Sequence, residues 1–344
     1  MDKVFGLNFE REKLVYGKFK LADREDGIEE VIPVILYKGK EEGPTLSISA
    51  NIHGDEVTGI LVLHRLLNSY NVLDNMKGNL ILLPSLNFYG LKNSIRSFSN
   101  TNDDPNRSFP TKREGVQNDS YTQKCMKIFF DELTKHTSYH IDLHSSKLCS
   151  VPFVYVEPKI IFNFNDGKEV LNKILGGVKS FGLFWLYDSQ ENYFSKDYDR
   201  TLSSSLVSMK SIPSFTVELG AKKIVDPKGE RLGYQGIKNV MVYLGMLNED
   251  FFSLQDTDMF PRKENFEHIV HPVAPEEGLV TFIVRPGDKV RKGDPVAKIR
   301  DIAGMDIGNG IITTNYSGFV LAQFEGAFFR KGEPLLKIAR EFIL

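Results

Sequence analysis

A histidine and a glutamate stand three residues apart in HGDE (53–56), directly after the compact β run TLSISANIH (45–53). Imidazole and carboxylate are both first-rank Zn2+ ligands, and a loop leading from strand to helix can aim His53 and Glu56 at one point. An HxxE pair recurs often by chance and needs company. A second histidine, His144, lies at the end of another β run, SYHIDLHSS (138–146). Catalytic zinc typically has three protein ligands and an open position for water, and two histidines with one glutamate are a known set. Asp142 precedes His144 by two residues, so in a strand both side chains share a face and Asp142 can orient the imidazole. Glu218, in SFTVELG (214–220), follows an apolar strand. Burying an unpaired carboxylate there is costly, which favours a place near a metal or a cation, and such a carboxylate can take a proton from water and return it to a leaving group.

The cations come from the stretch SIRSFSNTNDDPNRSFPTKREG (94–115), which is too long for a simple connector and reads as a functional loop. Arg96 and Arg107, with Asn106 beside the latter, can bind a substrate carboxylate through paired hydrogen bonds. One of the arginines could instead polarise a carbonyl and stabilise its oxyanion.

These residues need a scaffold. Residues 1–40 alternate apolar and polar stretches and predict a leading β hairpin. Helical spacing follows over 56–70, 120–136, 168–182 and 234–248, and β runs over 45–53, 79–87, 138–146, 151–158 and 212–220. Strands alternating with helices predict an α/β fold: a mixed, largely parallel sheet flanked by helices, with the site at the C-terminal strand ends. The segment QDTDMFPRKENFEH (255–268) reads as a linker, and beyond it only short β runs and turns occur. The expectation is a catalytic unit over 1–255 and a small all-β barrel or sandwich over 256–344, the latter holding two similar units, VRPGDKVRKGDPVAKI and FEGAFFRKGEPLLKI.

Composition narrows the partners. Lys+Arg 43 against Asp+Glu 45 leaves a net charge of -2 over 344 residues, which offers no electrostatic case for nucleic acid or an anionic membrane. No apolar run approaches the ~20 residues that cross a bilayer. The stretch MDKVFGLNFEREKLVYG carries charges throughout and lacks the apolar core of a secretory signal, so the default compartment is cytoplasmic. Cys125 and Cys149 lack metal or redox spacing and read as reduced and mostly buried, while His268 and His271 read as surface residues.

Taken in order, HGDE (53–56), NFYG…R (87–96), DPNRSFP (104–110), DLHSS (142–146) and VELG (217–220) resemble the succinylglutamate desuccinylase/aspartoacylase family of the zinc carboxypeptidase-like superfamily. The resemblance implies that His53, Glu56 and His144 bind one Zn2+, that Glu218 is the general base, and that Arg96 polarises the scissile carbonyl. It implies further that Asn106 and Arg107 grip the substrate's α-carboxylate and that Asp104 orients a ligand histidine. Pro105 and Thr111 depart from the family pattern in the loop, and no clear counterpart reads the substrate side chain; Arg200 is the best positional guess and Tyr198 a weaker one. The C-terminal part resembles a barrel-sandwich (biotinyl/lipoyl-like) domain, but GMDIGNG (304–310) lacks the carrier lysine, so contacts at the active-site mouth or in a homo-oligomer are expected instead of a swinging arm. The implied activity is a zinc-dependent deacylase of a small anionic N-acyl amino acid. A metallocarboxypeptidase acting on a short peptide and a non-catalytic small-acid binding protein are the alternatives.

Overall fold

The computed structural model describes residues 3–24, 26–115, 120–189, 193–194, 196–248, 250 and 266–341. The centre of the main sheet is parallel and runs Asn79–Leu83, Thr45–Ala50, Tyr139–His144, Ser214–Glu218. These strands are short and almost wholly buried, as befits strands covered by helices on both faces. Helices Thr58–Leu67, Gly167–Phe181 and Pro227–Tyr243 cover one face, through residues such as Leu63, Leu66, Ile174 and Val240. Helix Tyr121–Leu133, opened by a Ser120–Gln123 capping box, packs Met126, Phe129 and Phe130 on the other. The expected leading hairpin is present: Leu14–Asp23 and Glu29–Lys38 pair antiparallel at one edge.

Beyond Ser214–Glu218 the sheet continues through Phe153–Val156 and Trp185–Tyr187. Phe266–Val270 then joins it, parallel to Trp185–Tyr187 at Tyr187↔Glu267, followed by Leu336–Glu341 and Gly318–Gln323. Among the described residues the result is a single 13-stranded sheet. Lys289–Val290 pairs with Gly318–Gln323 at the end of that sheet, and Gly278–Phe282, Pro295–Arg300, Asp306–Thr313 and Phe328–Phe329 form a four-stranded antiparallel sheet that closes over Val280, Val296, Ile299 and Ile338. Phe153, Phe184, Leu186, Phe266 and Leu321 form an apolar cluster across the junction. The division expected near residue 255, and most of the linker, lie outside the described residues. Among the described residues no helix is long and apolar enough to cross a membrane.

Three expectations need correction. The last helix begins at Pro227, seven residues before the apolar periodicity, because Asp226 caps it by accepting from Gly229 N at 2.9 Å and Pro227 pre-sets the first turn. It ends at Tyr243, and Gly245 follows with φ +71°. Helix Leu202–Lys210 was not foreseen: its serines give no amphipathic signal, and Leu202–Val207 are all buried. Cys149 is exposed, because the two-residue strand Cys149–Ser150 only tips the end of Gly318–Gln323; Cys125 is buried.

Candidate metal centre and active site

His53, Glu56 and His144 converge, with one potential ligand atom from each lying within 4.8 Å of the others. All three are nearly fully buried. Thr45–Ala50 delivers His53 and Glu56 through the loop at its C-terminal end, and Tyr139–His144 ends on His144. His53 Nδ1 lies 2.8 Å from Glu56 Oε1, and His144 Nδ1 lies 2.9 Å from Glu56 Oε2. Both outer nitrogens are held by carboxylates: His53 Nε2 by Asp104 Oδ1 at 3.0 Å, His144 Nε2 by Asp142 Oδ2 at 2.9 Å. Two imidazoles thus turn their Nδ1 atoms inward while carboxylates fix their Nε2 atoms, the arrangement in which metal-bound histidines are commonly oriented. Burial alone would lower the His144 pKa, yet Asp142 and Glu56 hold it well above the ordinary histidine value. Three carboxylates around two imidazoles make a pocket for positive charge, and its nitrogen and oxygen donors suit a divalent metal such as zinc.

The supports of this centre are mostly residues that motif reading passes over. Asn51 adopts a left-handed backbone (φ +56°), and its Nδ2 faces the carbonyls of His53, Gly54 and Glu56 at 3.0–3.1 Å while Oδ1 accepts from Ser85 Oγ at 2.7 Å. Asparagine tolerates this conformation, and its amide replaces the backbone partners the tight loop cannot make. Gly54 is required by proximity, since a Cβ there would lie 1.9 Å from the Gly90 carbonyl carbon. Behind His144, Ser49 Oγ donates to Asp142 Oδ1 at 2.6 Å and lies 3.0 Å from His140 Nε2. The signal for His140 was present: residues 140, 142 and 144 alternate along one strand face.

Glu218 ends its strand opposite His144 in register and lines the same cavity, which measures about 290 Å³. Its Oε2 is buried and has no hydrogen-bond partner. Arg96 binds Asp104 Oδ2 through Nε (3.1 Å) and Nη2 (2.7 Å), which leaves Nη1 3.6 Å from Glu56 Oε1 at the cavity wall. Asp104 also accepts from Asn106 N at 2.9 Å, so one carboxylate ties the loop, the histidine and the arginine together. Asn106 spends Oδ1 on Leu202 N at 2.9 Å and keeps its amide nitrogen in the cavity, 3.4 Å from His144 Nε2. Arg107 lines the cavity too, stacked 4.4 Å above the Tyr198 ring.

Arg200 is not among the cavity-lining residues. Its Nε donates to the Phe109 carbonyl at 3.1 Å, so it fastens the loop from behind and does not face a substrate. His268 is also misplaced by sequence reasoning: it is buried and lines the cavity, because Phe266–Val270 joins the main sheet. His271 is only partly buried, and its Nε2 accepts from Asn315 N at 3.0 Å. Tyr155, Glu157 and Asp188, which no local motif marks, line the cavity as well.

The chain is similar to known proteins along nearly its whole length. Residues 42–159 match the family model of the Succinylglutamate desuccinylase/Aspartoacylase catalytic domain. The N-alpha-acetyl-L-2,4-diaminobutyric acid deacetylase of Halomonas elongata is 24% identical over 97% of this chain and 93% of its own length. Among solved structures, the ectoine utilization protein EutE (DoeB) of Ruegeria pomeroyi, product-bound, superposes with TM-score 0.78 at 20% identity over 98% of this chain and 99% of that one. A succinylglutamate desuccinylase/aspartoacylase from Rhodobacter sphaeroides gives TM-score 0.77 at 20% identity, covering 98% of each chain. The chain is thus similar over residues 42–159 to the succinylglutamate desuccinylase/aspartoacylase catalytic domain, and along nearly its whole length its fold is that of solved proteins of this description.

Proposed function

We propose that the protein is a zinc-dependent hydrolase that removes the acyl group from an N-acylated amino acid, with His53, Glu56 and His144 as the ligands of one Zn2+. The observation that carries this reading is the convergence of three donors, two of them imidazoles whose Nε2 atoms are already tied to carboxylates, beside a buried, unpartnered Glu218 Oε2. Zinc bound there would supply a Lewis acid for the scissile carbonyl and a water of lowered pKa. Glu218 Oε2 takes the proton from the attacking water and returns it to the leaving nitrogen. Arg96, braced by Asp104, directs Nη1 toward the oxygen on which negative charge develops. Arg107 and the Asn106 amide bind the α-carboxylate and fix the pose. Asp142 and Asp104 position the two histidines.

The names of the relatives support the substrate class, since one is a deacetylase of an N-acetylated amino acid. The test is metal analysis followed by a screen of N-acyl amino acids and dipeptides with and without chelator. One zinc per chain and turnover that chelation abolishes and zinc restores are expected. Chelator-insensitive binding of small acids without turnover would overturn the reading, and turnover confined to dipeptides would make the protein a peptidase.

A further inference from the structure

Beneath the metal centre the sheet carries a row of polar side chains where a covered parallel sheet normally places aliphatic ones. Ser47 and Ser49 alternate along Thr45–Ala50, and His140 and Asp142 along Tyr139–His144. The strands pair in register, Ser47 beside His140 and Ser49 beside Asp142, so the four side chains share one face. All four are fully buried. With no water to compensate, each donor there needs an acceptor within the row.

That requirement fixes the direction of every bond. Ser49 Oγ lies 2.6 Å from Asp142 Oδ1, and because a carboxylate only accepts, Ser49 donates there. A hydroxyl has a single proton, so the 3.0 Å contact between Ser49 Oγ and His140 Nε2 runs the other way, with Nε2–H as donor. Burial pushes the His140 pKa down to about 4, against the pull of Asp142, which keeps the ring neutral with one ring proton. Nδ1 is then an acceptor, and Ser47 Oγ donates to it at 2.6 Å; the Tyr139 carbonyl, 3.4 Å from the same hydroxyl, is the poorer partner. At the other end Asp142 Oδ2 accepts from His144 Nε2 at 2.9 Å, which leaves His144 Nδ1 as the atom facing Glu56 Oε2 within the ligand cluster.

We infer that His140 is a positioning residue for the metal centre: its Nε2–H commits the Ser49 hydroxyl to Asp142 and so holds Asp142 as the acceptor that orients His144. The inference rests on the reading of His53, Glu56 and His144 as metal ligands. A His140 ring with a bare Nε2 would compete with Asp142 for the Ser49 proton, and Asp142 would lose the donor that fixes its rotamer. The chain also crosses from the strand that delivers His53 and Glu56 to the strand that delivers His144, so ligands from two strands are held as one unit. His53 is oriented differently, by Asp104 from the long loop, with Arg96 as the brace.

The test reads ring tautomers and metal affinity, not turnover. In zinc-loaded, full-length protein labelled with nitrogen-15 histidine, long-range nitrogen–proton spectra at neutral pH should show His140, assigned by its absence from His140→Gln, as the neutral Nε2–H tautomer. The Nδ1–H tautomer or an imidazolium overturns the inference. In competition with a chromophoric chelator, His140→Phe should bind zinc about 10–100-fold more weakly, the range usual for partners behind a metal ligand. His140→Gln, which keeps an N–H donor, should recover most of that loss. Because both residues act through one chain, His140→Phe combined with Ser49→Ala should lose little more than the weaker-binding single variant. Zinc affinity of folded His140→Phe within about twofold of wild type, or losses that add in the double variant, overturns the inference. If His140→Phe does not fold, the wild-type spectrum decides. If the wild type binds no zinc, the ligand reading fails, and the spectrum of the metal-free protein decides the role of His140 in orienting His144: Nε2–H sustains it, and Nδ1–H overturns it.

Discussion

Replacing Glu218 by glutamine isolates one atom's contribution. The side chain keeps its shape, but Oε1 and Oε2 give way to an amide that cannot accept a proton at neutral pH. Glu218 forms no hydrogen bond with His53, Glu56 or His144, and its Oε2 has no partner to lose. Metal affinity should therefore survive. Folding should change by no more than about 1–2 kcal/mol, the cost of one buried polar group imperfectly satisfied. Turnover is a different matter. Proton transfer by a positioned group contributes typically about 10²–10⁴-fold, or roughly 3–5 kcal/mol of barrier. Glu218→Gln should therefore retain stoichiometric zinc by elemental analysis and melt within a few degrees of the wild type, with kcat down by at least about 100-fold and KM little changed. Turnover within about fivefold of wild type, with zinc bound, would refute the role given to this carboxyl. Loss of zinc together with activity would show that the residue acts on the centre's structure instead.

Two further outcomes follow from the same geometry. Asn51→Ala removes the amide that faces three loop carbonyls and leaves a non-glycine residue at φ +56°; a loss of about 2–4 kcal/mol in denaturant unfolding and weakened zinc retention are expected, and unchanged stability would count against Asn51 as the loop's organiser. Glu157 is pushed up to about 8 by burial, from an ordinary value of 4.5. Below the ordinary value both folded and unfolded chains hold its proton; between the two values only the folded chain does, so stability falls as pH rises and the contribution is gone above about 8. Thermal melts from pH 5 to 9 should show wild-type stability declining more steeply than that of Glu157→Gln, and parallel curves would exclude this cause.

How much was legible depended on distance along the chain. His53, Glu56 and His144 could be picked out because each sits at a strand's C-terminal end, where the fold class already places a site. Glu218 was legible for the same reason, as a carboxylate closing an apolar strand. Asn51 was not, since its role depends on a left-handed backbone that no residue pattern announces. Helix Leu202–Lys210 was hidden because it is buried nearly all round and so has no periodic polar face. The wall of Asp188 and His268 joins residues 80 positions apart through a single strand pairing, which local motifs cannot encode. Arg200 lies near the right place in the chain, yet its bond to the Phe109 carbonyl shows how little chain position says about which way a side chain points.

The parallel seam between Trp185–Tyr187 and Phe266–Val270 also orders events in time. Synthesis runs from the N-terminus, so the residues proposed to hold zinc and move the proton emerge well before His268 and Lys337. Until the late strands arrive, Trp185–Tyr187 presents an unpaired edge, which is a hazard for association with other chains. A nascent or truncated chain ending before Phe266 would hold every group proposed for bond cleavage and lack the strand that brings His268 to the cavity. In this architecture the groups proposed for chemistry come first, and the strand that completes the cavity wall also seals the sticky edge.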